Sequence, residues 1–579
     1  MSHKLHINKK RIIYSLCFFM FCLIDQRTKT GSGLDGWIET FRNSAGIVMA
    51  VLILSHYHLN DFIKQKIPYL VWSLICVIGG VVFVGWGQSF LYFVNGRVSL
   101  TLSVFLMGLS VIRTFIAVVY EKKLPRLNRT FGVLWLVMMA LMVISRSEYL
   151  WPLAYLVMFG CFYLTDYSKE EQEDLTQGML NGIILAFFML QGWCFAFRPY
   201  DVVRYVGVYS NCNMNALFYL IVLGAALAKL LYTYRRDGNR WWKVFYFLGT
   251  GVVLGFLFMT ISRTGWFVAV LMVFAALIGL WRMGVGKNIV VSVVRNGMIV
   301  VLCFALMFPV VFGAVRYLPP MFHHPVWFFG EWNEDKVHSW DKWDSEKFIN
   351  IDKLMKSATG RVADVFESLF GGAENGAENE SLAESAESTP HLEVEGVNMA
   401  EFSANDTTQA EVPSGDATET ETSTGGAEPT PLQQQLYDEA YEAGFALDVA
   451  DRNNPIKVRT AIYRFYAHLL NLTGHPESEQ GFQIFPTRRI GHAHNIYLQY
   501  GVDFGIPVLV LFVVLIGWSV AGLWKRLYAG RTDAFAGDVL ILMVPATFGL
   551  LEYCWGSGSA AVILLFVVWR RMICNEREN

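Results

Sequence analysis

The sequence predicts an all-α polytopic membrane protein of about 12–14 transmembrane helices, with one large extracytoplasmic loop domain near the C-terminus. Three observations predict it. Of the 579 residues 54% are hydrophobic and 17% are charged, against about 25% charged in a soluble domain. Long apolar runs recur from end to end, and they are continuous instead of alternating, which suits helices and not a barrel. The charges are strongly segregated, so their placement says more than the net charge of -2.

Taken in order, apolar runs fall near 12–24, 43–59, 68–86, 98–120, 131–145, 150–165, 179–197, 213–232, 243–261, 264–281, 296–315, 500–523, 537–552 and 557–570. Several are shorter than the ~20 residues a bilayer needs, which is why the count is given as a range. Residues 1–315 then form an N-terminal bundle of about eleven helices. Residues 316–499 form the large loop, and 500–579 supply the last helices. The first run follows the basic segment from His3 to Arg11 as a signal peptide would. It lacks a clear small-residue cleavage site, so it reads as a short helix that stays in place.

Orientation follows from Lys and Arg in the short connections. The connections 121–129, 234–243 and 525–531 and the tail 570–579 are basic, whereas 87–97, 146–149, 198–212 and 262–265 hold one or two basic residues each. This bias puts both termini in the cytoplasm and 316–499 outside. Two segments fit less well: the first outer loop, with Arg27, Lys29 and Arg42, and the acidic inner connection 166–178. The nine cysteines lie mostly inside apolar runs, with Cys212 in a polar connection. They form no disulfide framework and no paired metal motif, and read as small apolar packing residues.

Within the outer loop, 371–430 is rich in Glu, Ala, Ser, Thr and Gly. Such a segment buries too little apolar area to offset its ordering entropy, so it is expected to be a disordered insert. Its acidity argues against nucleic acid as a partner. Before it lies an aromatic stretch with Phe322, Trp327, Phe328, Phe329, Trp332, Trp340 and Trp343. That composition suits the membrane interface or stacking on sugar rings. After it, 456–472 reads as an amphipathic helix with Val458, Ile462, Phe465, Leu469 and Leu472 on one face.

Four polar clusters are expected to face outward: 204–217, Ser262-Arg263, 459–464 and 488–495. None lies beside an obvious intramembrane carboxylate. Ionisable groups at a membrane edge are costly and are functional candidates by default. An arginine-rich pocket suits phosphate or diphosphate, because guanidinium forks match phosphate oxygens. A histidine beside it can take a proton from an attacking hydroxyl near neutral pH. Together they suggest group transfer from a lipid diphosphate, with arginine and not a metal at the leaving group. Every position also has a structural alternative. Arg204 suits a topology residue, Arg263 a lipid-headgroup contact, and Arg488 and Arg489 interface anchors. Asn211, Asn213, Asn215 and His494-Asn495 suit helix caps. The pair His492 and His494 also suits a metal, though no carboxylate or cysteine lies near in sequence.

At these residues the chain resembles the O-antigen ligase and O-antigen polymerase superfamily of bacterial membrane glycosyltransferases. The family signature is His followed by Asn, Ser or Gln, nine residues, then Gly, at the end of a large outer loop. Here it is His494-Asn495, then 496–504, then Gly505. Val508 stands where the family has a small residue, Tyr or Thr. Ser262-Arg263 matches the Ser-Arg turn, and Arg204, Gly207 and Asn215 match an upstream Arg in a Gly- and Asn-rich segment. The resemblance spans roughly 200–520; the acidic insert is no part of it. It implies a GT-C-like helical fold and an inverting, metal-independent transfer without cofactor. The donor would be a polyprenyl-diphosphate-linked glycan, and the acceptor a glycan, lipid or protein hydroxyl. Arg204 and Arg263 would hold the diphosphate and His494 would activate the acceptor. His492, Arg459, Arg488, Arg489, Asn495 and Asn215 are further substrate-binding candidates.

The competing class is a flippase or transporter of lipid-linked oligosaccharide. That class is expected to show paired halves and charges buried within spans. Here the arginines read as lying at span ends on one side, beside one large asymmetric loop. Membrane lipids are partners under either reading.

Overall fold

The computed structural model describes residues 8–24, 45–57, 98–147, 151–197, 204–207, 209, 212–235, 239–285, 288–322, 349–370, 455–475, 482–485, 488–490, 492–528, 535–552 and 559–574. The run at 68–86, the aromatic stretch from Trp327 to Trp343 and the insert 371–430 lie outside them.

In chain order the elements are α1 (Lys9–Ile24), α2 (Ala45–Leu54), α3 (Val98–Val119), α4 (Arg129–Ile144), α5 (Trp151–Leu164), α6 (Lys169–Phe197), α7 (Cys212–Arg235), α8 (Arg240–Met259), α9 (Arg263–Arg282) and α10 (Ile289–Phe322). The loop supplies α11 (Ile351–Phe370), α12 (Pro455–His468) and a two-stranded antiparallel hairpin of β1 (Phe482–Phe485) and β2 (Arg488–Ile490). Then come α13 (Ile496–Phe504), α14 (Ile506–Tyr528), α15 (Phe535–Met543), a π turn (Val544–Phe548) and α16 (Ala560–Ile573). The chain is therefore a helical polytopic membrane protein with one small hairpin in its loop. Among the described residues seven helices are long and apolar enough to cross a membrane.

Packing sorts the helices by surface chemistry. α7 and α16 are buried on nearly every side, as helices apolar all round must be. α10 instead leaves Val290, Val294, Val301 and Leu306 exposed, a stripe suited to lipid tails. α1 packs closely on α6 because Gly178 and Gly182 stand one turn apart. A Cβ on Gly182 would lie 2.5 Å from the Ser15 carbonyl oxygen, so only small residues allow this approach.

Four local expectations change. The acidic connection 166–178 is mostly the first turns of α6, and Glu171 and Asp174 in it face the basic N-terminus. Arg11 Nη2 lies 2.7 Å from Asp174 Oδ1, Asn8 donates to Asp174 Oδ2 at 2.6 Å, and Lys10 pairs with Glu171. The run 500–523 is two helices, split at Gly505, whose φ of +97° favours glycine. The run 537–552 is the greater part of a nine-residue helix, Phe535–Met543, followed by a π turn. Finally, α12 stops at His468 and Leu472 is 72% exposed. Asn471 Oδ1 accepts from Thr473 N and Gly474 N at 2.9 and 2.6 Å, turning the chain off the helix.

The arginines are also not confined to span ends on one side. Arg113 and Arg570 are fully buried, and Lys229 nearly so, in the C-terminal halves of α3, α16 and α7. Each is partnered. Arg113 reaches Glu121 at 2.9 Å, Lys229 donates to Gln177 at 2.6 Å, and Arg570 donates to the Thr165 carbonyl at 2.8 Å. α7 thus runs from a polar cluster at its N-terminus to this basic pole at its C-terminus.

Candidate functional site

The polar cluster is built around Glu552, which is 4% exposed and lies beyond the π turn. Its Oε1 accepts from Asn213 Nδ2 at 2.9 Å and from Arg459 Nη2; His494 Nδ1 lies 3.4 Å from its Oε2. A buried carboxylate survives only when paired and hydrogen-bonded. Here three partners come from the start of α7, from α12 and from the turn before α13. Burial works to raise the Glu552 carboxyl, but the bonds and charges of His494 and Arg459 outweigh it and hold it below its ordinary value.

Backbone bonds fix the histidine turn against the 549–552 turn. Asn495 caps α13, its Oδ1 accepting from Tyr497 N and Leu498 N at 2.9 and 3.1 Å. Its Nδ2 donates to the Leu550 carbonyl at 2.9 Å, and Ile496 N donates to Gly549 O at 2.8 Å. Tyr463 donates from its hydroxyl to the His494 carbonyl at 3.2 Å. His494 itself sits at φ +49°, a left-handed conformation that is strained in a non-glycine residue and concentrates at functional sites. His492 packs edge-on against it with ring centroids 4.3 Å apart. In the tautomer that donates from Nδ1 to Glu552, the lone pair of His494 lies on Nε2. The His494 side chain is 24% exposed.

The second half of the cluster is an arginine turn. α8 ends at Thr260, and Ser262 caps α9, accepting from Gly265 N at 3.2 Å. Ile261 between them has φ +51°. Arg204 docks on this turn, Nε donating to the Thr260 carbonyl at 3.1 Å and Nη2 to the Ile261 carbonyl at 3.4 Å. It therefore lies against the turn that starts with half-buried Arg263. Burial lowers the Arg204 pKa, opposed by Cys212 and Glu552, and the like charges of Arg361 and Arg263 lower it further.

The two halves meet through the first turn of α7. Asn213 holds Glu552, and two residues on Asn215 Nδ2 donates to the Tyr205 carbonyl at 3.2 Å. Asn215 is 1% exposed and supports the Arg204 segment from beneath, against Gly207.

The structure thus joins Arg204, Arg263, Arg459, His494, Asn495 and Asn215 in one region. Arg488 and Arg489 are on β2, paired with Phe485 and Gln483, a few residues before His492. Sequence reasoning missed Glu552. Glu552 had a signal: it is the one acidic residue between 539 and 575. Among the described residues no group of three or more His, Cys, Asp or Glu is placed to hold a metal.

Fold and site together define a helical integral membrane protein with a carboxylate–histidine pair and an arginine cluster at one end of its bundle. No family model, curated protein or solved structure matches the chain.

Proposed function

We propose that the chain is a membrane glycosyltransferase of the O-antigen ligase and polymerase type, acting at the outer face of the bacterial cytoplasmic membrane. Its donor is a polyprenyl-diphosphate-linked glycan and its acceptor a hydroxyl on a glycan, lipid or protein. The observation that carries this reading is the junction at α7. Asn213 holds the Glu552–His494 pair, while Asn215 holds the segment that bears Arg204. A base and an anion-binding turn are thereby fixed side by side.

In this reaction His494 Nε2 takes the acceptor proton, and the freed oxygen attacks the anomeric carbon. The bond from that carbon to the diphosphate oxygen breaks with inversion. The electron pair leaves on the diphosphate, which Arg204 and Arg263 stabilise. Glu552 stabilises the imidazolium that forms, in the manner of a carboxylate that orients a catalytic histidine.

A flippase is the second reading. Buried Arg113 and Lys229 favour it, although each has a polar partner at the far pole of the bundle. The deciding experiment measures glycan transfer by purified protein in detergent with EDTA, from a polyprenyl-diphosphate oligosaccharide, with and without a separate acceptor. Transfer by wild type, lost in His494→Ala and Arg263→Ala, is the expected result. Product without added acceptor marks a polymerase; product only with it marks a ligase. Loss of activity with EDTA overturns the metal-independent step. Absence of transfer, with donor crossing a liposome bilayer regardless of His494, replaces the enzyme by the flippase.

A further inference from the structure

Helix α13 carries two buried polar side chains on the face that meets the histidine turn. Gln499 and Asp503 are 1% and 2% exposed. They are spaced i and i+4, so they are neighbours on the helix surface. Gln499 Nε2 donates to Asp503 Oδ1 at 2.8 Å, and Gln499 Oε1 accepts from Ala493 N at 2.8 Å. Ala493 stands between His492 and His494 and is fully buried in an apolar cluster with Ile462, Phe465 and Val502. A hydrogen-bonded chain therefore runs from the last turn of α13 back to the peptide that precedes His494.

Both ends of this chain orient the amide. A backbone N–H donates and a carboxylate oxygen accepts, so Gln499 turns its oxygen to Ala493 and its NH2 to Asp503. Asp503 is the one charged residue of α13, and a buried carboxylate is costly. Satisfying one N–H needs only the glutamine, so the aspartate points to a demand for a fixed orientation. The helix is itself held: His475 N donates to Val502 O at 2.9 Å and Ile506 N to Asn471 O at 2.7 Å. His494 sits at φ +49°, a conformation that persists only where the surroundings over-determine it. Tyr463 and Ile496 bond the turn at the His494 carbonyl and beyond it; Gln499 bonds it on the other side.

We propose that Gln499 and Asp503 are positioning residues for His494. Asp503 sets the amide of Gln499, Gln499 fixes the peptide before His494, and the imidazole is thereby kept against Glu552. The inference rests on the reading of His494 as the base of glycan transfer and deepens it. The base then has two supports: Glu552 on its ring, and the Gln499–Asp503 pair on its backbone.

The test uses the full chain in detergent, as wild type, Q499L, Q499E, Q499E/D503N and E552Q. Three readouts are taken: kcat and donor KM for glycan transfer, the thermal midpoint, and the rate at which diethyl pyrocarbonate modifies His494, followed by peptide mass spectrometry. Q499L and Q499E are expected to lower kcat roughly ten- to a hundredfold with little change in donor KM, the cost of displacing a base by about 1 Å or less. Their His494 modification rate is expected to move from the wild-type value toward that of E552Q. In Q499E two carboxylates face each other and repel. Adding D503N supplies an amide that donates to the new carboxylate, and most of the loss is expected to be recovered. If Q499L fails to fold, Q499E against Q499E/D503N still decides, and absence of recovery overturns the proposal. A lower midpoint with wild-type kcat and wild-type His494 reactivity also overturns it, since Gln499 then only satisfies a buried N–H. If wild type transfers no glycan, the transfer reading falls. A His494 rate shifted in Q499E and restored in Q499E/D503N then keeps the positioning role, and an unshifted rate removes it.

Discussion

Asn213 and Glu552, 339 positions apart, are joined by a hydrogen bond of 2.9 Å from Nδ2 to Oε1. The bond ties the first turn of the most buried long helix to the turn that positions His494. Its consequence is that Glu552 has a fixed place from which to hold the imidazole.

Glu552→Gln is the first variant that follows. It keeps the shape and the contact with Asn213 but removes the charge facing His494 and Arg459. Loss of the group that orients a catalytic base costs about 10²–10⁴ in rate. The fall is expected in kcat for glycan transfer, with KM for the donor little changed. A variant with wild-type kcat would show that Glu552 only packs.

The same carboxylate sets an acid limit. Its pKa is held below the ordinary value, so its stabilising contribution is complete above the unfolded value, about 4.3 for Glu. It is lost as pH falls through the lower folded value. Thermal unfolding in detergent is expected to be insensitive to Glu552 between pH 7 and about pH 5 and to weaken below that. Glu552→Gln is expected to flatten that acid limb. An acid limb unchanged in the variant assigns it to other carboxylates.

Gly505 supplies a backbone test. At φ +97° a Cβ there would lie 2.5 Å from the Leu472 carbonyl oxygen. Gly505→Ala therefore combines a disfavoured dihedral with a backbone clash. It is expected to cost at least ~1–3 kcal/mol and to lower the thermal midpoint. An unchanged midpoint would mean that α13 and α14 are one continuous helix.

How far the sequence reveals this molecule depends on the range of the interaction. Hydropathy is local, so the apolar runs from 98–120 to 296–315 all reappear as helices. Capping is local too, and Asn495 caps α13, the structural alternative its place before an apolar run suggests. The pairing of 166–178 with the N-terminus is not local: Arg11 and Asp174 are 163 positions apart. Glu552 hides for the same reason. It stands at the end of an apolar run, and its partners Arg459 and His494 are 93 and 58 positions away.

The two asparagines of α7 separate chemistry from binding. Asn213 contacts Glu552, so Asn213→Ala leaves Glu552 with Arg459 and His494 but loosens its position. Asn215 is buried and bonds the Tyr205 carbonyl, so Asn215→Ala leaves that carbonyl without its donor, at a cost of roughly 1–3 kcal/mol. The expected outcomes therefore differ. Asn213→Ala is expected to lower kcat with little change in donor KM and a small change in thermal midpoint. Asn215→Ala is expected to lower the midpoint and raise donor KM, because the Arg204 segment loses its support. Steady-state transfer kinetics on both variants, read with thermal unfolding, distinguish the cases. If both variants change kcat and KM in the same proportion, the first turn of α7 acts as one structural unit and does not divide into a base side and an anion side.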